Sequence, residues 1–225
     1  MKLLAIETSC EHASVALRVD DEIVSYTLEG HSNHSERLLP TIRTLLAGAG
    51  LTPASLDVVA FGKGPGAFTG LRLACGVAQG MAMGADIGVV PVSSLAALAL
   101  QAGGSAVLTL TDARMGEIYA AGYEIEDGMP VERIAPVCVA PAGFSARGAW
   151  QVVGSALQAY PELFPLEAEG VLGRDATLVP RAREVALLAG RGLSEAIAPE
   201  LAAPLYVRDK VALTAAERLA RGGKA

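Results

Sequence analysis

Three short stretches carry residue types whose spacing could support chemistry. The first is Gly62-Lys63-Gly64-Pro65-Gly66-Ala67-Phe68-Thr69-Gly70. The apolar run Val58 to Phe61 precedes it and a helical pattern follows it. At such a junction the backbone N–H groups of a helix start can meet an anion. Lys63 stands before the glycines and not after them, which excludes a Walker A loop. The competing reading is a tight strand-to-helix turn whose glycines permit positive φ. Residue types leave both readings open.

The second stretch is Glu7-Thr8-Ser9, at the end of the chain's first apolar run, and it has a counterpart at Asp112. An acid closing a strand can hold a metal and phosphate when a glycine lets the next hairpin approach. No glycine follows Glu7 directly, and after Asp112 the glycine comes late, at Gly116. Glu7, Thr8, Ser9, Gly64, Gly66 and Asp112 are therefore candidate remnants of phosphate loops. The favoured alternative is carboxylates that cap local N–H groups. The third stretch, His31 and His34 with Glu36, is the one metal-like cluster. It lies in the lead-in to a helix, so the i, i+4 geometry of a helical metal pair does not apply. Solvated loop histidines are the better reading, and His12 has no evident partner. No G-x-S-x-G nucleophile elbow occurs.

The elements that must position these residues follow from the apolar pattern. Leu3 to Ile6 reads as a buried strand, and Ser14–Val19 with Glu22–Leu28 as a hairpin turning at Asp20-Asp21. A helix follows, with Asn33 and Glu36 spaced as a capping box, Leu38, Leu39, Ile42, Leu45 and Leu46 at helical spacing, and Gly48–Gly50 as its stop. Pro40 falls early, where its missing N–H costs little. Then come a strand at Val58–Phe61, a glycine turn from Gly62 to Gly66, a helix from Phe68 to Gly84, a strand at Ile87–Val92 and a helix at Ser93–Ala102, where Ser93 and Ser94 look like caps. This order is that of a ribonuclease-H-like α/β fold. The opening of strand, acid and hairpin recurs about a hundred residues later, at Ala106–Leu110 with Asp112, Glu117–Glu124 and Val131–Val139. Two lobes on one plan are expected, at 1–104 and 105–225. Trp150–Gly154 reads as a strand, Arg181–Gly192 as a helix and Pro204–Val211 as extended, while residues 160–180 show no clear pattern.

Composition narrows the function classes. Hydrophobic residues reach 52% but aromatics only 4%, and the net charge is −6 with no Lys/Arg cluster. Direct tRNA or DNA binding by the chain alone is disfavoured, because phosphate neutralisation calls for a basic patch. Cys10, Cys75 and Cys138 form no CxxC pair, so neither a disulfide framework nor a zinc ribbon is implied. A short apolar start and the lack of a long uncharged span predict a soluble, cytoplasmic protein without a signal peptide. In the helix from Phe68, Gly76, Gly80 and Gly84 recur every four residues beside Ala74, Ala78 and Ala82. Interior helix glycines cost on the order of 1 kcal/mol each. They suggest either close packing on the chain's own sheet or a seam with another subunit.

Five strings carry a resemblance: residues 4–9 (LAIETS), 34–40 (HSERLLP), 64–72 (GPGAFTGLR), 91–95 (PVSSL) and 112–119 (DARMGEIY), with a later Pro204-Leu205-Tyr206-Val207-Arg208. Together they resemble the TsaB family of tRNA threonylcarbamoyladenosine synthesis. The resemblance implies an actin-like (ASKHA) two-lobed fold and a non-catalytic subunit, a pseudoenzyme of the tRNA-modification machinery. It implies pairing with the catalytic paralogue TsaD through the first two helices, with the TsaE ATPase joining, and homodimers when the partner is absent. The expected interface comprises Leu38, Ile42 and Leu45 of the first helix and Leu71, Ala74, Gly76, Ala78, Gly80 and Gly84 of the second. In TsaD an H-x-x-x-H pair holds the metal. Here Ser94 and Leu98 stand at the corresponding positions, so no metal and no catalytic residue are expected. No stably bound cofactor is expected either, and ATP or ADP would sit only at the joint interface. The rivals are a weak actin-like nucleotide hydrolase using Glu7, Asp112 and the Gly64–Gly66 loop and, last, a peptidase.

Overall fold

The computed structural model describes residues 1–28 and 34–208. The capping box at Asn33, the histidine His31 and the end of the extended segment, residues 209–211, lie outside the described residues. The first sheet comprises β1 (Lys2–Glu7), β2 (Ser14–Val19), β3 (Glu22–Thr27), β4 (Val58–Gly64) and β5 (Gly88–Ser93), in the order β3-β2-β1-β4-β5. The second comprises β6 (Ala106–Arg114), β7 (Glu117–Glu126), β8 (Met129–Val139), β9 (Trp150–Val153) and β10 (Val171–Asp175), in the order β10-β9-β6-β7-β8. Read from the other edge, the second order repeats the first strand for strand. In each, two antiparallel hairpin strands flank the opening strand, and two parallel strands complete the sheet. The repeated plan of the sequence is therefore the plan of the fold.

Among the described residues five α-helices cover these sheets: α1 (His34–Gly48), α2 (Phe68–Ala85), α3 (Ser94–Ala102), α4 (Ala156–Ala159) and α5 (Ala182–Gly190). β1 is apolar on both faces because both are covered. Leu4 and Ile6 meet α1 and α2, while Leu3 and Ala5 join the core under α3 and α5. That second core is shared, since it also takes in Val107, Tyr123 and Val153 of the other sheet. The division at residue 104 thus separates the sheets but not the layers. Helix α5, from the second half of the chain, packs on β1, β2 and β4 of the first sheet. Residues 160–180, illegible in sequence, contain β10. Its residues are half-buried except for the exposed Leu172, and Gly173-Arg174-Asp175 breaks any apolar run.

The glycine string also differs from expectation. Gly62, Lys63 and Gly64 are not part of the turn; they continue β4, with Gly62 beside Val92 and Gly64 beside Ser93 of β5. The turn is the short stretch Pro65–Ala67, after which α2 starts at Phe68. Strand pairing overrides the local preference of glycine for turns, because the neighbouring strand supplies backbone partners.

Candidate functional site

The opening strands of both sheets end at one cleft of about 1100 Å³ between the lobes. Its walls include Thr8, Ser9, Gly66, Gly70, Asp112 and Arg208. On the first-lobe side three glycines of the Gly62–Gly70 string lie hard against the end of β1 and the residues after it. A Cβ at Gly62 would collide with the Glu7 carboxylate, one at Gly66 with the Ser9 carbonyl, and one at Gly70 with the Thr8 carbonyl. The Ala67 N–H donates to the Ser9 carbonyl at 2.7 Å, and the Thr8 hydroxyl donates to the Gly70 carbonyl at 2.6 Å. These three glycines are explained by close backbone approach. Gly64 needs its glycine for another reason, a φ of +99°.

Glu7 does not face the cleft. It is fully buried, and its Oε1 accepts from the Ser9 N–H at 2.6 Å. Its Oε2 accepts from the Ser94 hydroxyl at 2.7 Å, and Ser94 Oγ accepts in turn from the Gly64 N–H at 3.2 Å. Burial pushes the Glu7 carboxyl above the ordinary carboxylate range, against the pull of the Ser9 and Ser94 hydrogen bonds. Cys10 beside it is pushed up to about 12, first by burial and then by the Glu7 charge. A thiol so disposed stays protonated and is no nucleophile at neutral pH. Ser93 caps α3 as expected, accepting from the Ala96 N–H at 3.3 Å. Ser94 does not cap; it ties the ends of β1 and β4 together at the start of α3.

Asp112 behaves differently. Its Oδ1 accepts from the Arg114 N–H at 2.9 Å, and its Oδ2 pairs with the Arg114 guanidinium at 3.1 Å. Its own N–H donates to Ser155 Oγ at 3.1 Å. Arg114 reaches across the cleft to Glu11 at 3.6 Å. Arg114 and Met115 adopt left-handed φ values of 62° and 57°, followed by Gly116 at 79°. The two non-glycine residues cost roughly 1 kcal/mol each. Among the described residues no group of three or more His, Cys, Asp or Glu side chains could hold a metal ion.

With this geometry in hand, the relatives decide the family. The chain matches the family model described as "TsaD: tRNA N6-adenosine threonylcarbamoyltransferase" over residues 28–216. It is 35% identical over 225 residues to the tRNA threonylcarbamoyladenosine biosynthesis protein TsaB of Escherichia coli K12, covering 94% of this chain and 96% of that protein. The chain belongs to the TsaB family. The TsaB of Bacillus subtilis is 34% identical over 139 residues, 60% of each chain. The solved structure titled "YeaZ from Pseudomonas aeruginosa" superposes with a TM-score of 0.84 at 36% identity, covering 91% of this chain and 99% of that one. The two mixed sheets with their helices are the TsaB-type, actin-like α/β fold. Its relatives are proteins of tRNA threonylcarbamoyladenosine biosynthesis, and among the described residues no helix is long and apolar enough to cross a membrane.

The residues expected at the TsaB partner interface separate into two sets. Leu38, Ile42, Leu45, Leu71, Ala74 and Ala78 are buried in the chain's own core, so none of them is open to a partner in this structure. The alanine row seats α2 on β1 and β4, because only small side chains let the helix lie close to the sheet. Gly76, Gly80 and Gly84 lie on the opposite, exposed side, and a Cβ added at any of them meets nothing within 4 Å. Residues two apart are turned about 200° round a helix, so the glycine and alanine rows fall on opposite sides, one toward the core and one toward solvent. Arg208, which ends the Pro204–Arg208 string and was not among the expected site residues, also lines the cleft.

Proposed function

We propose that this TsaB-family chain is a non-catalytic subunit that binds the catalytic TsaD-type paralogue through the outer side of α2, with α1 beside it. The observation that carries the reading is the row Gly76, Gly80 and Gly84. Each glycine costs on the order of 1 kcal/mol in a helix interior. None is required by packing inside the chain, since each faces open space. A stripe of bare backbone on an exposed helix suits the close approach of a second helix. The same seam would serve a homodimer when the paralogue is absent. The TsaE ATPase would join the assembled pair, and ATP or ADP, if it binds, would do so at the joint interface. tRNA would be met by the assembly and not by this acidic chain alone.

The competing hydrolase reading needs Glu7 facing a phosphate. Glu7 is buried beneath Gly62, and the Gly66 side of the loop is occupied by Ser9. Ser94 and Leu98, where the paralogue is expected to carry its metal pair, are a hydrogen-bonded hub and a core leucine.

Gly80→Leu tests the proposal. Leucine favours the helix by roughly 0.8 kcal/mol, so the melting temperature should hold or rise. Titration with the TsaD-type paralogue should show at least a hundredfold loss of affinity, as overpacking at a tight seam costs several kcal/mol. Unchanged affinity in a chain of unchanged stability would sink the assignment of this face.

A further inference from the structure

Residues 196–208 form almost no regular structure, having one 3-10 turn at Pro199–Leu201, yet they are anchored along most of their length. Ile197 exchanges two backbone hydrogen bonds with Val89 on the edge of β5, at 2.8 and 3.0 Å. Gln79 of α2 donates to the carbonyls of Pro199 and Ala202 at 2.9 and 3.2 Å. The Leu205 N–H donates to the Lys63 carbonyl at 2.7 Å, and Arg72 Nε donates to the Tyr206 hydroxyl at 3.0 Å. All of these partners belong to the first lobe.

Arg208 ends the run on the second lobe. Its guanidinium donates to the carbonyls of Ala113 and Arg114 at 2.8 and 3.2 Å and pairs with Glu117 at 2.8 Å. Those carbonyls are the last two of β6, at the turn into β7 where Arg114, Met115 and Gly116 all have positive φ. A strained turn persists only when its surroundings hold it. Leu205 to Arg208 also line the interlobe cleft.

We propose that residues 196–208 are a brace that closes one end of the cleft and holds the strained β6–β7 turn against the first lobe, with Arg208 as its latch. At the base of the cleft the two sheets already share a core. At the rim the brace ties the two lobes. Another contact there, Arg114 to Glu11 at 3.6 Å, joins side chains that are 73% and 54% exposed. Solvent and salt screen such a pair, so it contributes little. Arg208 is only 14% exposed, and its Nη2 alone makes the ion pair and both carbonyl bonds, so charge and hydrogen bonding converge on one atom. In this arrangement the width of the cleft is set by the chain itself and needs no ligand. The brace also lies along α2 at Arg72 and Gln79, so it supports that helix from the side.

Amide hydrogen exchange on the full chain, read residue by residue, tests the brace without any partner. Arg208→Ala should speed exchange at Leu205 and at residues 115–117 by about tenfold or more, while the amides of β1, β4 and β9 stay within about twofold. Arg208→Lys, which keeps the charge, should fall between. Glu117→Gln keeps Arg208 and should raise the same amides by a smaller factor; it decides the matter should Arg208→Ala fail to fold. Protection at Leu205 and the turn unchanged in these variants, or a uniform rise across both sheets, would overturn the proposal.

Discussion

Glu7 and Asp112 close the same strand in two copies of one plan, and their surroundings have diverged. At the end of β1 the following loop turns inward. Glycines at 62, 66 and 70 let the Glu7 carboxylate and the Ser9 and Thr8 carbonyls come close where a Cβ would block them. At the end of β6 the counterpart acid keeps a side chain 16% exposed on the cleft, tied to Arg114 and not to the loop behind it. The helices that follow differ in step. The parallel strand beside β1 leads into the 18-residue α2, whereas the one beside β6 leads into the four-residue α4. Duplication supplies the scaffold, and packing around it decides what each copy can do. One lobe has become a rigid platform for an exposed helix, and the other a wall for the cleft.

That contrast can be broken most severely at Gly70. It sits in α2, where alanine is worth about 1 kcal/mol over glycine. A Cβ there would nevertheless strike the Thr8 carbonyl. Gly70→Ala should therefore destabilise the chain by about 3 kcal/mol, lowering the melting temperature by roughly 6–12 °C. A rise in melting temperature would show that the loop is not closed on β1.

Ser94→Ala comes next. It removes a donor from the buried Glu7 carboxylate and an acceptor from the Gly64 N–H. A cost of about 2 kcal/mol is expected, because a buried charged group loses one of its partners. Denaturant titration with an unchanged slope would measure it. A neutral outcome would mean that Ser94 does not hold β1 to β4.

The third prediction concerns pH. Burial raises the folded-state pKa of Glu7 above its unfolded value. Between the two values the native state binds more protons than the unfolded state, so the Glu7 contribution to stability falls as pH rises through that window. Glu7→Gln cannot titrate. The stability of the parent minus that of Glu7→Gln should decrease from about pH 4.5 upward and then level off above the folded pKa. A difference that grows with pH would show that the carboxylate is stabilised as an anion by its hydrogen bonds.

The smallest effect should have the opposite sign to the first, within the same helix. Gly80→Ala faces open space and should gain about 1 kcal/mol by propensity alone. A gain of that size in calorimetry beside the loss at Gly70 would separate the outward glycines from the inward ones. A loss at Gly80 would place that row inside the chain after all.

Much of this was legible in the sequence. The period-two hairpins, the buried runs at Leu3–Ile6 and Val58–Phe61 and the helical spacing of α1 and α2 are local patterns, and local patterns reflect burial on one face or two. The repeated acid-and-hairpin opening marked the repeated plan, and both sheets take the same strand order. Residue types alone could not tell a glycine that admits a ligand from one that admits a neighbouring backbone, since both need the missing Cβ. The two-residue offset already sets the alanine and glycine rows about 200° apart on α2, and residue types alone could not say what either row would meet. Nor could they foresee that Ser94 would meet Glu7, or Arg208 the turn at Arg114, across 87 and 94 residues of chain. Such contacts are set by chain segments returning from far away, and only the packed tertiary structure brings them together.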